Sequence, residues 1–396
     1  MNQVQKLYNS DFWKLTSANF LMATAFYFLV SGLPVYFKEM LNLKDDMIGL
    51  LSGSATFAAV LIRPFVGYSL DTYGRKWIYL IAFILFSLTF LSYPFAVTIS
   101  LILVVRLLHG FIWGTITVSN STIVIDLIPA NRRGEGIGVF GLSMTLAMAI
   151  GPFIAMTIFK KFDFNTMFVS GAILSFLGLF VAFLVKYPVF SNKNQGKKMQ
   201  LEKLYDKTAF PISVGLMILL IPYGGMMTFT PIYIAQNHIG NTGLFFLVLA
   251  IFIGISRLVT GKIFDKQGPN AIIFYSAILF FIGFLLIANL KTSVGLYVAA
   301  ALLGFGNGIV FPSFQAMVNN IIPVSRRGAG NSTLLTFLDF GIGGGMIILG
   351  FVSTKYNLTL VYNLSAIISL AGYAYYWFVI RNYYKHKKEV FDSIQK

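Results

Sequence analysis

Long apolar stretches alternate with short polar ones along the whole chain. A membrane-spanning helix needs about 20 mostly apolar residues. That ruler predicts spans at 12–37, 47–70, 77–97, 99–125, 134–159 and 165–187. A polar stretch, SNKNQGKKMQLEKLYDK, follows at 191–207. Further spans are predicted at 210–236, 241–264, 271–290, 293–320, 328–352 and 358–380. Backbone groups in lipid must be satisfied within their own segment, so these runs read as helices rather than open strands. The expected fold is an all-α membrane protein of twelve transmembrane helices in two six-helix bundles. The bundles are 1–190 and 210–382, joined by a linker at 191–209 and followed by a tail at 383–396.

Composition supports lipid as the solvent. Apolar residues are 57% of the 396 and charged residues only 11%, where soluble domains carry about 25% charged. A soluble globule of this size could not hide that much apolar surface. The 40 Phe residues suit a lipid-facing surface. The absence of cysteine excludes disulfides, thiol catalysis and Cys-ligated metal. The first apolar stretch is too long for a signal-peptide core and is expected to stay in the chain.

The net charge of +16 comes in short runs between apolar stretches rather than in a basic domain, which argues against nucleic acid as a partner. Lys and Arg favour cytoplasmic loops. With the N-terminus inside, the inner segments hold Lys6, Arg75, Lys76, Arg132, Arg133, the lysines of the 193–207 stretch, Lys262, Lys266, Arg326, Arg327 and the basic tail from Arg381 to Lys388. The outer loops hold only Lys38, Lys44, Lys160, Lys161, Lys291 and Lys355. Both termini are therefore expected in the cytoplasm, in a multi-pass protein of the cytoplasmic (inner) membrane. Residues 199–205 could form a surface helix held to anionic lipid.

The chain also resembles itself. Arg63-x3-Gly67-x3-Asp71-x2-Gly74 recurs as Arg257-x3-Gly261-x3-Asp265-x2-Gly268, an offset of 257 − 63 = 194. Gly110 and Gly114 match Gly304 and Gly308 at the same offset, and Ile128-Pro129-x2-Arg132-Arg133-Gly134 matches Ile322-Pro323-x2-Arg326-Arg327-Gly328. Three ungapped matches at one offset define a parallel repeat. Such repeats mark secondary transporters with a substrate site between the halves near the midplane.

These residues carry a family resemblance. Gly67-Tyr-Ser-Leu-Asp71-Thr-Tyr-Gly74-Arg75-Lys76, after the second span, resembles the signature loop of the major facilitator superfamily. Arg106-x3-Gly110-x3-Gly114 resembles the span 4 motif of its proton-coupled members. Gly138, Gly151 and Pro152 resemble in part the antiporter motif of its exporters, with Ala147 and Ala155 where glycines are usual. The resemblance covers essentially the whole chain. It implies a conformational latch of Gly67, Asp71, Gly74, Arg75 and Asp265, with Asp71 docking near Gly328 and Asn331. Arg75 would pair with Asp126. A cavity lined by spans 1, 4, 7 and 10 would draw substrate-binding residues from Asn19, Tyr27, Trp113, Asn120, Tyr223, Met226, Met227, Asn307, Phe311 and Gln315. One departure is plain: span 1 lacks the acid found in many drug/proton antiporters.

Ionisable groups at membrane depth are costly and mark function by default. Arg106 lies roughly 10 Å into span 4 and Asp339 roughly 16 Å into span 11, at 1.5 Å per residue. Asp339 is the first candidate proton carrier and His109 the second, with Arg106 biasing a nearby acid or holding an anion. Each has a plainer alternative, a hydrogen bond within the helix packing. Pro222-Tyr-Gly-Gly225 would loosen span 7 near its middle. The sequence has no GxxxxGK[ST] loop, no HExxH and no Gly-x-Ser-x-Gly elbow, so no cofactor, no metal and no enzymatic chemistry is expected. The reading is a monomeric, proton-driven exporter of a small amphipathic solute: a drug, a sugar-like metabolite or a metal chelator. A proton-coupled uptake symporter is the alternative within the class, and a lipid translocase the alternative outside it.

Overall fold

Short polar side chains fix where the apolar helices begin. In the computed structural model, Thr98, Asp163, Thr292 and Asn357 each accept the backbone N–H three residues on, satisfying a donor that the first turn leaves open. The structure describes residues 9–129, 132–187, 204–289, 292–323 and 326–395, without the side chains of 133–135, 160, 259–267, 392, 394 and 395. The helices are α1 (Ser10–Glu39), α2 (Asp45–Tyr73), α3 (Lys76–Ser92), α4 (Ile99–Leu127), α5 (Arg133–Lys161), α6 (Phe164–Phe183), α7 (Phe210–Asn237), α8 (Thr242–Asn289), α9 (Ser293–Ile321), α10 (Arg327–Lys355), α11 (Leu358–Tyr375) and α12 (Arg381–Gln395). A π-turn, Tyr376–Ile380, joins the last two. No strand occurs among the described residues.

Two of the predicted spans are the arms of one helical run. α8 is interrupted only at Gly268, which has φ +69°. Its counterpart is Gly74, φ +93°, between α2 and α3. Side chains other than glycine rarely adopt such values. The tail predicted at 383–396 is the helix α12, and the surface helix predicted at 199–205 lies largely outside the described residues.

The surface of α3 displays the lipid-facing pattern. Trp77, Ile81, Leu85, Leu88 and Leu91 recur at helical spacing and are all exposed, while Tyr79, Phe83, Phe86 and Phe90 on the opposite face are fully buried. A face of large exposed apolar side chains suits hydrocarbon rather than water.

The described residues group into two compact units, Met1–Leu33 with Phe57–Met199 and Pro34–Thr56 with Gln200–Lys396. Their internal contacts repeat at the offset of 194. A Cβ on Gly114 of α4 would lie 2.7 Å from the Ala59 carbonyl of α2, and one on Gly308 of α9 would lie 2.6 Å from the Ile253 carbonyl of α8. Gly136 meets Ile128 as Gly330 meets Ile322, at 2.5 and 2.6 Å. Gly151 of α5 sits against Tyr27 of α1, and Gly345 of α10 against Ile221 of α7. Helices in lipid associate through close van der Waals contact, and small residues let their backbones approach.

Within the second unit, residues 34–56 pack on α10. Asp45 accepts from Lys38 at 2.7 Å and from Ser353 at 2.5 Å, and the Asp46 N–H donates to Thr354 at 2.7 Å. Gly49 and Gly53 face the carbonyls of Met346 and Gly343.

The entry to α7 is clamped by Asp206. Its carboxylate accepts Arg326 Nε at 2.7 Å and the Thr208 N–H at 2.9 Å, and its own N–H donates to Thr333. Burial alone would raise this carboxyl, but the bonds from Arg326 and Thr208 outweigh it and hold it below its ordinary value. A lowered folded-state value means the clamp stabilises above the unfolded value and is lost as pH falls through the folded one. Asp206→Asn is therefore expected to lower the thermal midpoint at pH 7, with the difference from wild type shrinking as pH falls below the ordinary carboxylate range. Melting curves across that range check this. Two parallel profiles would mean that ionisation of Asp206 contributes nothing.

Candidate functional site

The predicted signature loop lies at the end of α2 in the first unit. Gly74 turns the chain, and the next residue, Arg75, reaches back. Its Nε donates to Asp126 Oδ2 of α4 at 3.0 Å, its guanidinium also meets Asp71 Oδ1 at 3.5 Å, and it donates to the Leu70 carbonyl at 3.1 Å. One cation thus joins the C-terminal ends of α2 and α4, where a positive charge also meets the negative ends of two helix dipoles. A Cβ on Gly67 would meet nothing within 4 Å. The side chain of Asp265, the matching acid of the repeat, lies outside the described set.

Deeper in the first unit, α4 presents two of its ionisable groups to a ring of aromatic side chains. His109 is wholly buried, with Nδ1 3.0 Å from the Tyr93 hydroxyl. Phe26, Phe86 and Phe90 surround its ring, and Nε2 has no partner among the described residues. Arg106 is buried within hydrogen-bonding reach of the same Tyr93 hydroxyl. Tyr93 therefore joins the two groups, a connection the sequence gives no periodic or motif signal for. Trp113, one turn beyond His109, stacks on Phe26 of α1 with ring centres 3.6 Å apart.

Two of the predicted wall residues meet directly. Asn120 of α4 donates to Asn19 of α1 at 3.0 Å, and Asn19 donates to Ser143 of α5 at 2.7 Å. The Tyr79 hydroxyl is buried close to the Asn120 side chain. A polar track thus crosses three helices at a depth where each unmet group is costly. Ser143 was not a sequence candidate; one serine among many carries no signal. Of the partial antiporter motif, Gly151 packs on Tyr27 beside Pro152, whereas Gly138 is exposed with space around it.

The second unit holds Asp339. It is 9% exposed, on α10 just before the glycine-rich stretch 341–345. Gly341 and Gly345 receive the carbonyls of Met217 and Ile221 of α7, and Gly224 of α7 receives that of Ile342. The glycines around Pro222 therefore bring two backbones together, and α7 stays helical from Phe210 to Asn237, not loosened at its middle as the sequence led us to expect. Tyr223 and Met226 are buried on that helix, and Met227 beside them. On α9, Asn307, Phe311 and Gln315 share one face at four-residue spacing and are each partly exposed. Gln315 donates to Asn331 of α10 at 3.3 Å, and Asn331 donates to Asn319 at 3.0 Å. Among the described residues no group of His, Asp and Glu is arranged to hold a metal ion.

Two units of membrane-length helices with matching internal packing, each with buried polar groups, define a multi-pass membrane protein of duplicated architecture. Residues 15–318 and 268–394 match the family model of the Major Facilitator Superfamily, and the chain belongs to that family of transporters. A multi-drug resistance efflux pump PmrA homolog of Lactococcus lactis is 27% identical over 77% of this chain and 78% of its own length. The staphylopine export protein of Staphylococcus aureus is 21% identical over 79% and 82%. Among solved structures, the nucleoside transporter NupG superposes with a TM-score of 0.73 at 17% identity, covering 93% of this chain and 99% of that one.

Proposed function

We propose that this chain exports a small amphipathic solute across the cytoplasmic membrane by alternating access, driven by protons moving down their gradient, with both termini in the cytoplasm. The observation that carries the reading is Asp339: a buried acid in mid-span, beside the backbone crossing of α7 and α10, where an ionisable group is costly unless it works. Asp339 is assigned as the proton carrier. Arg106, tied with His109 to Tyr93, supplies fixed positive charge in the other unit, and His109 is the second proton candidate.

The direction of transport is supported by the partial antiporter motif at Gly151 and Pro152 and by relatives named as efflux and export proteins. Asn19, Tyr27, Trp113, Tyr223, Met226, Asn307, Phe311 and Gln315 are assigned to the substrate path. Aromatic and Met walls suit substrates of varied shape. The Arg75–Asp126 pair, with Asp71, is assigned as an inner latch that breaks as the protein changes state. The protein acts as a monomer and holds no cofactor.

Purified protein in liposomes with a trapped pH dye tests this. Under an imposed pH gradient, a panel of amphipathic drugs, sugars and chelators is added in turn. Proton movement opposite to solute movement, with at least one compound, is the expected result. Movement of both in the same direction would make the protein an uptake symporter. Silence with every compound, from folded protein, would remove proton coupling.

A further inference from the structure

Helix α12 is basic and docked. Tyr384 is buried and accepts from Asn320 of α9 at 3.2 Å, and Tyr383 donates to the Thr208 carbonyl at 3.0 Å. With those two rings fixed, Arg381, Lys385 and Lys388 fall at i, i+4 and i+7 and share one helix face. All three are exposed, and none forms an ion pair among the described residues. Arg381 lies over the Trp377 ring at 4.0 Å.

This face borders a cleft of about 400 Å³ whose other wall is Pro269 and Asn270, the first residues of the second arm of α8. The three cations line it, and among the described residues Glu389 is the one acid that does. The Tyr376 hydroxyl donates to Asn270 Oδ1, which leaves the side-chain N–H groups of Asn270 to donate. Three cations held around one cleft repel each other. An anion between them would relieve that repulsion.

The surroundings give the source of the anion. Trp377 and Phe378, one turn before Arg381, are exposed, Phe378 to 77%. Exposed aromatic side chains at the end of a span mark the level where hydrocarbon meets headgroups. The cleft therefore lies at headgroup depth, with apolar surface on its membrane side for acyl chains. We propose that this cleft binds the phosphate of an anionic phospholipid. Arg381 supplies the planar fork, Lys385 and Lys388 the point charges, and Asn270 an amide donor. The bound lipid ties α12 to the turn of α8. This site is independent of the transported solute.

The test uses the purified full-length protein, equilibrated in detergent with equal amounts of phosphatidylglycerol and phosphatidylcholine, with retained lipid counted by native mass spectrometry. Wild type is expected to favour phosphatidylglycerol by roughly tenfold, falling as salt is raised. Lys385→Gln with Lys388→Gln, both exposed and so safe for folding, is expected to remove most of that preference. Arg381→Gln should remove the remainder, and Lys44→Gln with Lys355→Gln should change nothing. Equal retention of the two lipids by wild type would overturn the proposal, as would an undiminished preference in the double lysine variant. Displacement of the lipid by millimolar glycerol phosphate or inorganic phosphate would equally overturn it, in favour of a soluble anion.

Discussion

Asp339→Asn is expected to lower solute-driven proton flux at least tenfold while leaving the fold intact. Asparagine keeps the size of the side chain and most of its hydrogen bonding but cannot carry a proton. The side chain is 9% exposed, so solvent exposure does not buffer the change, and the neutral amide is if anything cheaper to hold in lipid than a carboxylate. The thermal midpoint should therefore stay within a few degrees of wild type, as expected when no packing is lost. Solute exchange without a proton gradient should persist, because the substitution removes coupling rather than the path. The liposome assay separates these readings. Full proton flux in the variant would exclude Asp339 and move the search to His109, where His109→Gln is the matching substitution.

Gly345→Leu is expected to destabilise the folded protein severely, and Gly344→Ala to stabilise it slightly. A Cβ on Gly345 would overlap the Ile221 carbonyl of α7, which is backbone and cannot turn aside. Overpacking of this kind costs about 1–3 kcal/mol and sometimes more. In lipid, close contact of this sort is much of what holds helices together. One residue away, a Cβ on Gly344 would meet nothing within 4 Å. There the change to alanine should give a small gain, of about 0.5–1 kcal/mol at most. Size-exclusion profiles and thermal midpoints in detergent read both outcomes. A monodisperse Gly345→Leu protein with a wild-type midpoint would mean that the α7–α10 crossing yields more easily than its geometry suggests.

The spans were legible because lipid demands long apolar runs, and the repeat because Gly, Asp and Arg recur at one spacing. The pairing of Arg75 with Asp126 followed from the family resemblance, and the ion pair is present at 3.0 Å. The reading of Pro222-Tyr-Gly-Gly225 went the other way. A glycine that frees a backbone and a glycine that admits a neighbouring backbone look alike in sequence, and only the approach of Ile342 to Gly224 separates them. Tyr93 and Ser143 were missed for a related reason: each matters through a partner on another helix, His109 and Asn19. Helix α12 escaped notice because it is short and polar, and two tyrosines rather than an apolar stripe dock it.

The matching glycine contacts carry a historical consequence. A chain whose two parts keep the same backbone crossings in the same register descends from one six-span segment that was copied and joined to itself, with its packing settled before the copying. The ionisable groups buried in mid-span have not kept that symmetry, although Arg63, Asp71, Arg132 and Arg133 have. At the offset of 194, Arg106 and His109 correspond to Ala300 and Leu303, and Asp339 corresponds to Thr145. What the two copies still share is the architecture with its charged loop ends, and what each acquired alone is charge in mid-span. A tandem of two first segments would retain the crossings and lack Asp339; a tandem of two second segments would lack Arg106 and His109. Divergence has made the copies complementary, so neither can stand in for the other.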